Sequence, residues 1–191
     1  MPQVIVGECA DGLPVRADQP TQRSARATKL SPVGLRLLRM GDFEVTRRTT
    51  IAADPARIHG FIDNFRQWRL WSPWEDADPQ LARTYTGPES GLGARYTWRG
   101  NRKAGAGAME IKADAEREIG IELVFEKPFK ATNFVTFTLT PTAGGTEVTW
   151  RMTGTHSGLM GMLGKVFPID NLIGKDFDKG LARLKTIAES A

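Results

Sequence analysis

Apolar and polar positions alternate with a period of two between Leu81 and Thr155, then switch to a helical period after Ile169. In the final segment Ile169, Leu172, Ile173, Phe177, Leu181, Leu184 and Ala188 share one face. Asp170, Lys175, Asp178, Lys179, Arg183 and Lys185 fall elsewhere, which predicts one long amphipathic C-terminal helix. The alternation is clearest where Ile119, Ile121, Leu123 and Phe125 oppose Glu118, Glu122 and Glu126, so that sheet has one dry face and one wet face. The other segments with this period present Ala94, Tyr96 and Trp98, then Met109, Ile111 and Ala113, to the same side. Val135, Phe137 and Leu139, and finally Val148, Trp150 and Met152, follow them.

Before the sheet, residues 43–51 are rich in β-branched side chains and read as a first strand. Asp54 then offers an N-cap and Pro55 a first helical position. Ile58, Phe61, Ile62 and Phe65 mark an apolar helix face. Asp63-Asn64 breaks it into two short helices, the second carrying Phe65 to Trp68. A strand over 81–86 ends in the turn Gly87-Pro88, and Ala143-Gly144-Gly145 makes a hairpin. Residues 157–168, with Gly158, Gly161, Gly164 and Pro168, read as a flap or a broken first section of the last helix. The order is strand, two helices, six strands and one helix, an α+β arrangement. A curved antiparallel sheet of seven strands with a helix across its concave side leaves space between them. The expected fold is therefore a container.

Residues 1–41 hold six Lys/Arg against Glu8, Asp11 and Asp18, whereas the rest of the chain is nearly balanced despite a net charge of +4. The basicity belongs to a flexible N-terminal arm, and the domain over 42–191 offers no basic surface for nucleic acid. Within the arm, residues 33–39 could form a short basic amphipathic turn that touches a membrane surface. The favoured expectation is an extension that does not pack. No apolar run approaches the roughly 18 residues of a membrane span. The first residues lack a secretory pattern, and the lone Cys9 excludes an intrachain disulfide; together these lead to a cytoplasmic expectation.

Candidate chemistry is sparse. The two histidines, His59 and His156, are far apart and Cys9 lies in the arm, so no metal set forms and no cofactor is implied. Gly91-Leu92-Gly93 and Gly105-Ala106-Gly107 open no helix and read as turns. No Gly-x-Ser-x-Gly elbow occurs. Glu75, Asp76 and Asp78 read as a solvated loop, and Trp68, Trp71 and Trp74 as scaffold. Arg95 and Arg151 have outward parity. Arg47 shares the parity of Val45 and Ile51, so it points inward and needs an acidic partner or an anionic ligand. The weak catalytic candidates are His156, as a general base near the pocket mouth, and Tyr96, as a donor to a developing enolate.

The punctuation of this order resembles the helix-grip superfamily, which includes START and Bet v 1-like domains (SRPBCC), and within it the polyketide cyclase/dehydrase-like branch. The residues that carry it are Phe43-Glu44-Val45, Ile51-Ala52-Ala53-Asp54-Pro55 and Trp68-Arg69-Leu70-Trp71-Ser72-Pro73-Trp74 with Asp78-Pro79. Gly87-Pro88, Gly91-Leu92-Gly93-Ala94 and Trp98 follow, then Gly145-Thr146-Glu147-Val148-Thr149-Trp150, Gly174-Lys175-Asp176-Phe177 and Gly180-Leu181. The resemblance implies a curved seven-stranded sheet closed over a cavity by a long helix. The expected function is binding of a small hydrophobic or amphipathic molecule, such as a lipid, polyketide or aromatic metabolite. Its expected lining is Arg47, Tyr96, Trp98, Met109, Ile111, Phe125, Phe137, Trp150, Met152, Phe177 and Leu181. The alternatives are a cyclase or dehydratase that uses the same cavity, and an Hsp90-activator-like interaction module of the same fold.

Overall fold

Seven strands form one antiparallel sheet in the order β1-β7-β6-β5-β4-β3-β2. The computed structural model of the chain describes residues 42–155 and 169–190. The arm, the glycine-rich residues 157–168 and His156 lie outside the described residues. The strands are β1 (Asp42–Ile51), β2 (Ala82–Thr86), β3 (Arg95–Arg99), β4 (Ala106–Ala115), β5 (Glu118–Lys127), β6 (Ala131–Thr142) and β7 (Gly145–Thr155). Strands β2 to β7 form a meander, and β1 pairs along β7 at the far edge. Between β1 and β2 come α1 (Pro55–Ile62), α2 (Trp68–Trp71) and a 3-10 turn (Pro73–Asp76). The last element is α3 (Ile169–Ser190), 22 residues long. This is the helix-grip fold, with the strand boundaries within a residue of expectation at β1, β2 and β3.

Two local expectations are corrected. The second short helix is Trp68–Trp71, so Phe65 lies in the connection. Pro73 holds Ser72 extended, at φ −65 and ψ 127, and so ends α2. Ala113 is exposed, not inward, because a register shift between Ile111 and Ala113 interrupts the alternation of β4.

The inward face reads as cross-strand rows. Ile111, Ile121, Val135, Met152 and Val45 pair in sequence across β4, β5, β6, β7 and β1, and all are buried. The next row is Ile119, Phe137, Trp150 and Arg47. The helices seal these rows. The Trp68 and Trp71 indoles donate to the carbonyls of Ile62 and Phe61, each at 2.9 Å, and so satisfy the open end of α1. Trp71, Phe137, Trp150 and Phe177 are each at most 1% exposed. Phe177 stacks on Trp150 at 4.1 Å with 9° between the planes. α3 is fastened to the β1 edge where Glu189 Oε1 accepts from the Ala52 amide at 2.7 Å and Lys185 Nζ donates to the Thr50 carbonyl at 2.5 Å.

Two glycines let α3 lie this close. A methyl at Gly180 would meet Trp150 Cζ3 at 2.8 Å and Pro73 Cδ at 3.2 Å. A methyl at Gly174 would collide with the Arg47 guanidinium, the far end of a flexible side chain. Alanine gains roughly 0.5–1 kcal/mol over glycine in a helix interior, but overpacking a core costs about 1–3 kcal/mol. Gly180→Ala is therefore expected to lower the denaturation midpoint and Gly174→Ala to lower it less. Equal effects of the two would remove the distinction between ring and guanidinium neighbours.

Candidate ligand site on the inward face

Towards the end of the sheet where β7 stops, the inward rows loosen. One row is Tyr85, Tyr96, Met109, Leu123, Asn133, Gly154 and Phe43 across the whole sheet. The last is Arg83, Trp98, Gly107, Phe125 and Ala131. Phe43, Tyr85, Trp98, Leu123 and Phe125 are only half-buried, although they point to the side of the sheet that is sealed elsewhere. Four aromatic rings run side by side here. Tyr85 stacks on Tyr96 at 5.3 Å, Tyr96 on Trp98 at 5.9 Å, and Phe125 meets Trp98 edge-on at 5.8 Å. Gly107 makes this possible, because a methyl there would lie 2.5 Å from Trp98 Cη2. The indole instead lies over β4 and donates to the Ala104 carbonyl at 3.0 Å.

A polar group sits among these apolar ones. Asn133 is 6% exposed, and a methyl at Gly154 would collide with its Oδ1 and with the Phe43 ring. The parity of Asn133 with Val135 and Phe137 was readable in the sequence, yet the expected lining omits it.

The structure divides the expected lining in two. Tyr96, Trp98, Met109 and Phe125 belong to the loosened rows, with Tyr96 and Met109 at 4% and 8% exposure. Ile111, Phe137, Trp150, Met152, Phe177 and Leu181 are packed together in the sealed rows. Arg47 points inward under α3, where Asp178 supplies the acidic partner at 3.4 Å. Arg95 and Arg151 are about half exposed at the side chain, on the outer face.

The acidic segment is the main correction. Glu75, expected in a solvated loop, keeps 10% of its side-chain exposure and faces Arg83, whose Nη2 and Nε lie at 2.6 and 2.7 Å. Its other oxygen accepts from the Tyr96 hydroxyl at 3.0 Å. Asp78 is buried and accepts from the Asn101 amide at 2.6 Å and the Gln80 amide at 2.9 Å. Asp76 pairs with Arg183 of α3 at 2.6 Å, and that hydrogen bond holds its carboxyl below the usual range. Each carboxylate has a structural partner that lies far along the chain or on another element.

Burial, and then the negative charge of Glu75, pushes the Tyr96 phenol well above its ordinary value. Tyr85 is raised by the same two causes. These are the only 2 tyrosines of the chain. The native protein is therefore expected to show less phenolate absorbance at about pH 10 than free tyrosine, which ionises there. Because the folded value is the higher one, these groups contribute stability fully below pH 10. That contribution is lost as pH rises above 10 towards the folded value. A native absorbance step centred at pH 10 would contradict this placement.

His59 lies away from the inward face, beside two carboxylates, with Nε2 2.9 Å from Asp114 and Nδ1 3.7 Å from Asp63. Burial raises the Asp63 carboxyl, Asp114 adds to this, and His59 opposes it. Among the described residues no His, Cys, Asp and Glu group is arranged to hold a metal ion. No described helix is long and apolar enough to cross a membrane.

Fold and inward face together define a member of the helix-grip class, SRPBCC. The chain belongs to the family described as polyketide cyclase / dehydrase and lipid transport, whose model matches residues 42–189. Among functionally curated proteins none matches the sequence. Solved structures similar in fold include a protein from Chromobacterium violaceum, at 12% identity and TM-score 0.57, covering 78% of this chain and 98% of that one. A ginseng major latex-like protein from Panax ginseng is 14% identical with TM-score 0.54, covering 78% and 99%. The Aha1 dimer from Colwellia psychrerythraea is 13% identical with TM-score 0.52, covering 78% and 97%. Family and fold together suggest a role in hydrophobic ligand binding or of the polyketide cyclase kind.

Proposed function

We propose that the protein binds a small hydrophobic or amphipathic molecule on the loosened rows of the inward face. The observation that supports this reading is the half-burial of Phe43, Trp98, Leu123 and Phe125 on a face that is otherwise dry. Half-buried apolar surface beside a well-packed core is the kind that small ligands cover, with a few polar groups to orient them. Asn133 is such a group, offering a carbonyl and an amide among apolar neighbours. The cyclase reading has less support: the hydroxyl of Tyr96, its one described acid–base candidate, donates a hydrogen bond to Glu75 and is held protonated by burial.

The test combines native mass spectrometry of freshly purified protein with titration by fatty acids and a fluorescent naphthalene probe. Retained lipid-like mass, or probe binding with a Kd on the order of micromolar that Trp98→Ala weakens, is expected. Binding that survives Trp98→Ala and Phe125→Ala unchanged, or no binding at all, would remove the proposal.

A further inference from the structure

We propose that the protein docks on an anionic lipid surface through two neighbouring turns, residues 100–105 between β3 and β4 and residues 128–130 between β5 and β6. The turns lie side by side. A methyl at Gly105 would collide with the Lys127 carbonyl and lie 3.4 Å from Pro128 Cδ. Arg99, Ala106 and Lys127 follow one another across β3, β4 and β5, at the end of the sheet where these turns begin. The Trp98 indole fastens the first turn by donating to the Ala104 carbonyl. Docking there goes beyond the ligand reading above and stands without it.

Positive charge and an apolar side chain coincide on this surface. Arg99, Arg102, Lys103, Lys127 and Lys130 are all exposed, and among the described residues none of the five has an ion pair. By contrast Arg95, Lys112, Arg151, Lys179, Arg183 and Lys185 each have a carboxylate within 3.5 Å. The domain is nearly balanced in charge as a whole, but these two stretches carry five cations against one acid, Glu126. Asp78 also reaches the first turn, but it is buried and accepts from the Asn101 and Gln80 amides. Phe129 stands between Pro128 and Lys130, 39% exposed. An exposed phenyl ring beside long cationic side chains suits a membrane surface. The ring enters the boundary between headgroups and acyl chains, while the lysines and arginines reach the lipid phosphates. A single-stranded nucleic acid would call for several aromatic faces along a basic groove.

The full chain is sedimented with phosphatidylcholine vesicles, with and without phosphatidylglycerol. Binding is expected to the anionic vesicles alone and to weaken as salt rises. Lys103→Gln and Lys130→Gln are each expected to weaken it about fivefold, the effect of one cation near an anionic membrane surface. Phe129→Ala is expected to weaken it about tenfold through lost apolar burial. Arg48→Gln removes an exposed cation from β1, opposite Thr149 and towards the other end of the sheet, and should change nothing. All four side chains are exposed, so every variant should keep the thermal midpoint of the parent. Any of four results overturns the proposal. They are no binding to anionic vesicles, equal binding to neutral ones, binding indifferent to all three turn variants (as when residues 1–41 carry it), and single-stranded RNA bound with the same dependence on those variants.

Discussion

Phe177→Ala is expected to reduce the unfolding free energy by about 3–5 kcal/mol, the range for deleting a buried phenyl ring. Domains of this size are commonly stable by only about 5–15 kcal/mol, so the loss would be a large fraction. The ring is 1% exposed, lies parallel to Trp150 at 4.1 Å and receives Trp74 edge-on at 6.1 Å. Its neighbours are held from both sides. Trp150 is built into β7, and Trp68 and Trp71 are anchored through their indole hydrogen bonds to α1. Little can move to fill the vacancy, which places the cost high in the range. Denaturant titration followed by tryptophan fluorescence should show a lower midpoint with an unchanged slope. A loss below about 1 kcal/mol would mean that α3 does not depend on this contact.

Glu75→Ala is expected to cost about 2–3 kcal/mol. Removing one partner of a fully buried ion pair costs about 3–5 kcal/mol. Here the side chains of Arg83 and Glu75 retain 18% and 10% exposure, so water softens the effect. The substitution strands the Arg83 guanidinium and leaves the Tyr96 hydroxyl without its acceptor. Glu75 is also one of the causes holding the Tyr96 phenol up, after burial, so the variant should ionise Tyr96 at lower pH than the parent. Adding Arg83→Met should recover part of the stability if the two residues are coupled, because the double change leaves no orphaned charge. Additive losses from the two single variants would show that the pair contributes nothing as a pair.

The sheet was legible because its core residues obey a local rule. Ile119, Ile121, Val135, Phe137, Val148, Trp150 and Met152 keep strict alternation, and each lies where parity places it. Ala113 broke the rule because a bulge adds one residue to β4, and a bulge has no signature in that stretch of sequence. Glu75, Arg83 and Tyr96 were not legible as a group. They meet only because the 3-10 turn folds over β2 and β3, bringing together residues 8 and 21 positions apart. Asp78 was obscured for the same reason, since its partner amide at Asn101 belongs to a later turn. Composition made these carboxylates look solvated; only the tertiary arrangement gives them partners.

The unequal burial of the inward rows has an evolutionary consequence. The rows through Ile111 and Trp150 carry the packing that keeps the chain folded. The rows through Tyr96 and Trp98 carry less of it. Substitutions at Leu123 or Phe125 therefore disturb stability less than substitutions at Phe137 or Trp150. Selection can reshape one end of such an interior while the other keeps the molecule above its stability threshold. Proteins that share only 12% and 14% of their residues with this chain keep the same architecture.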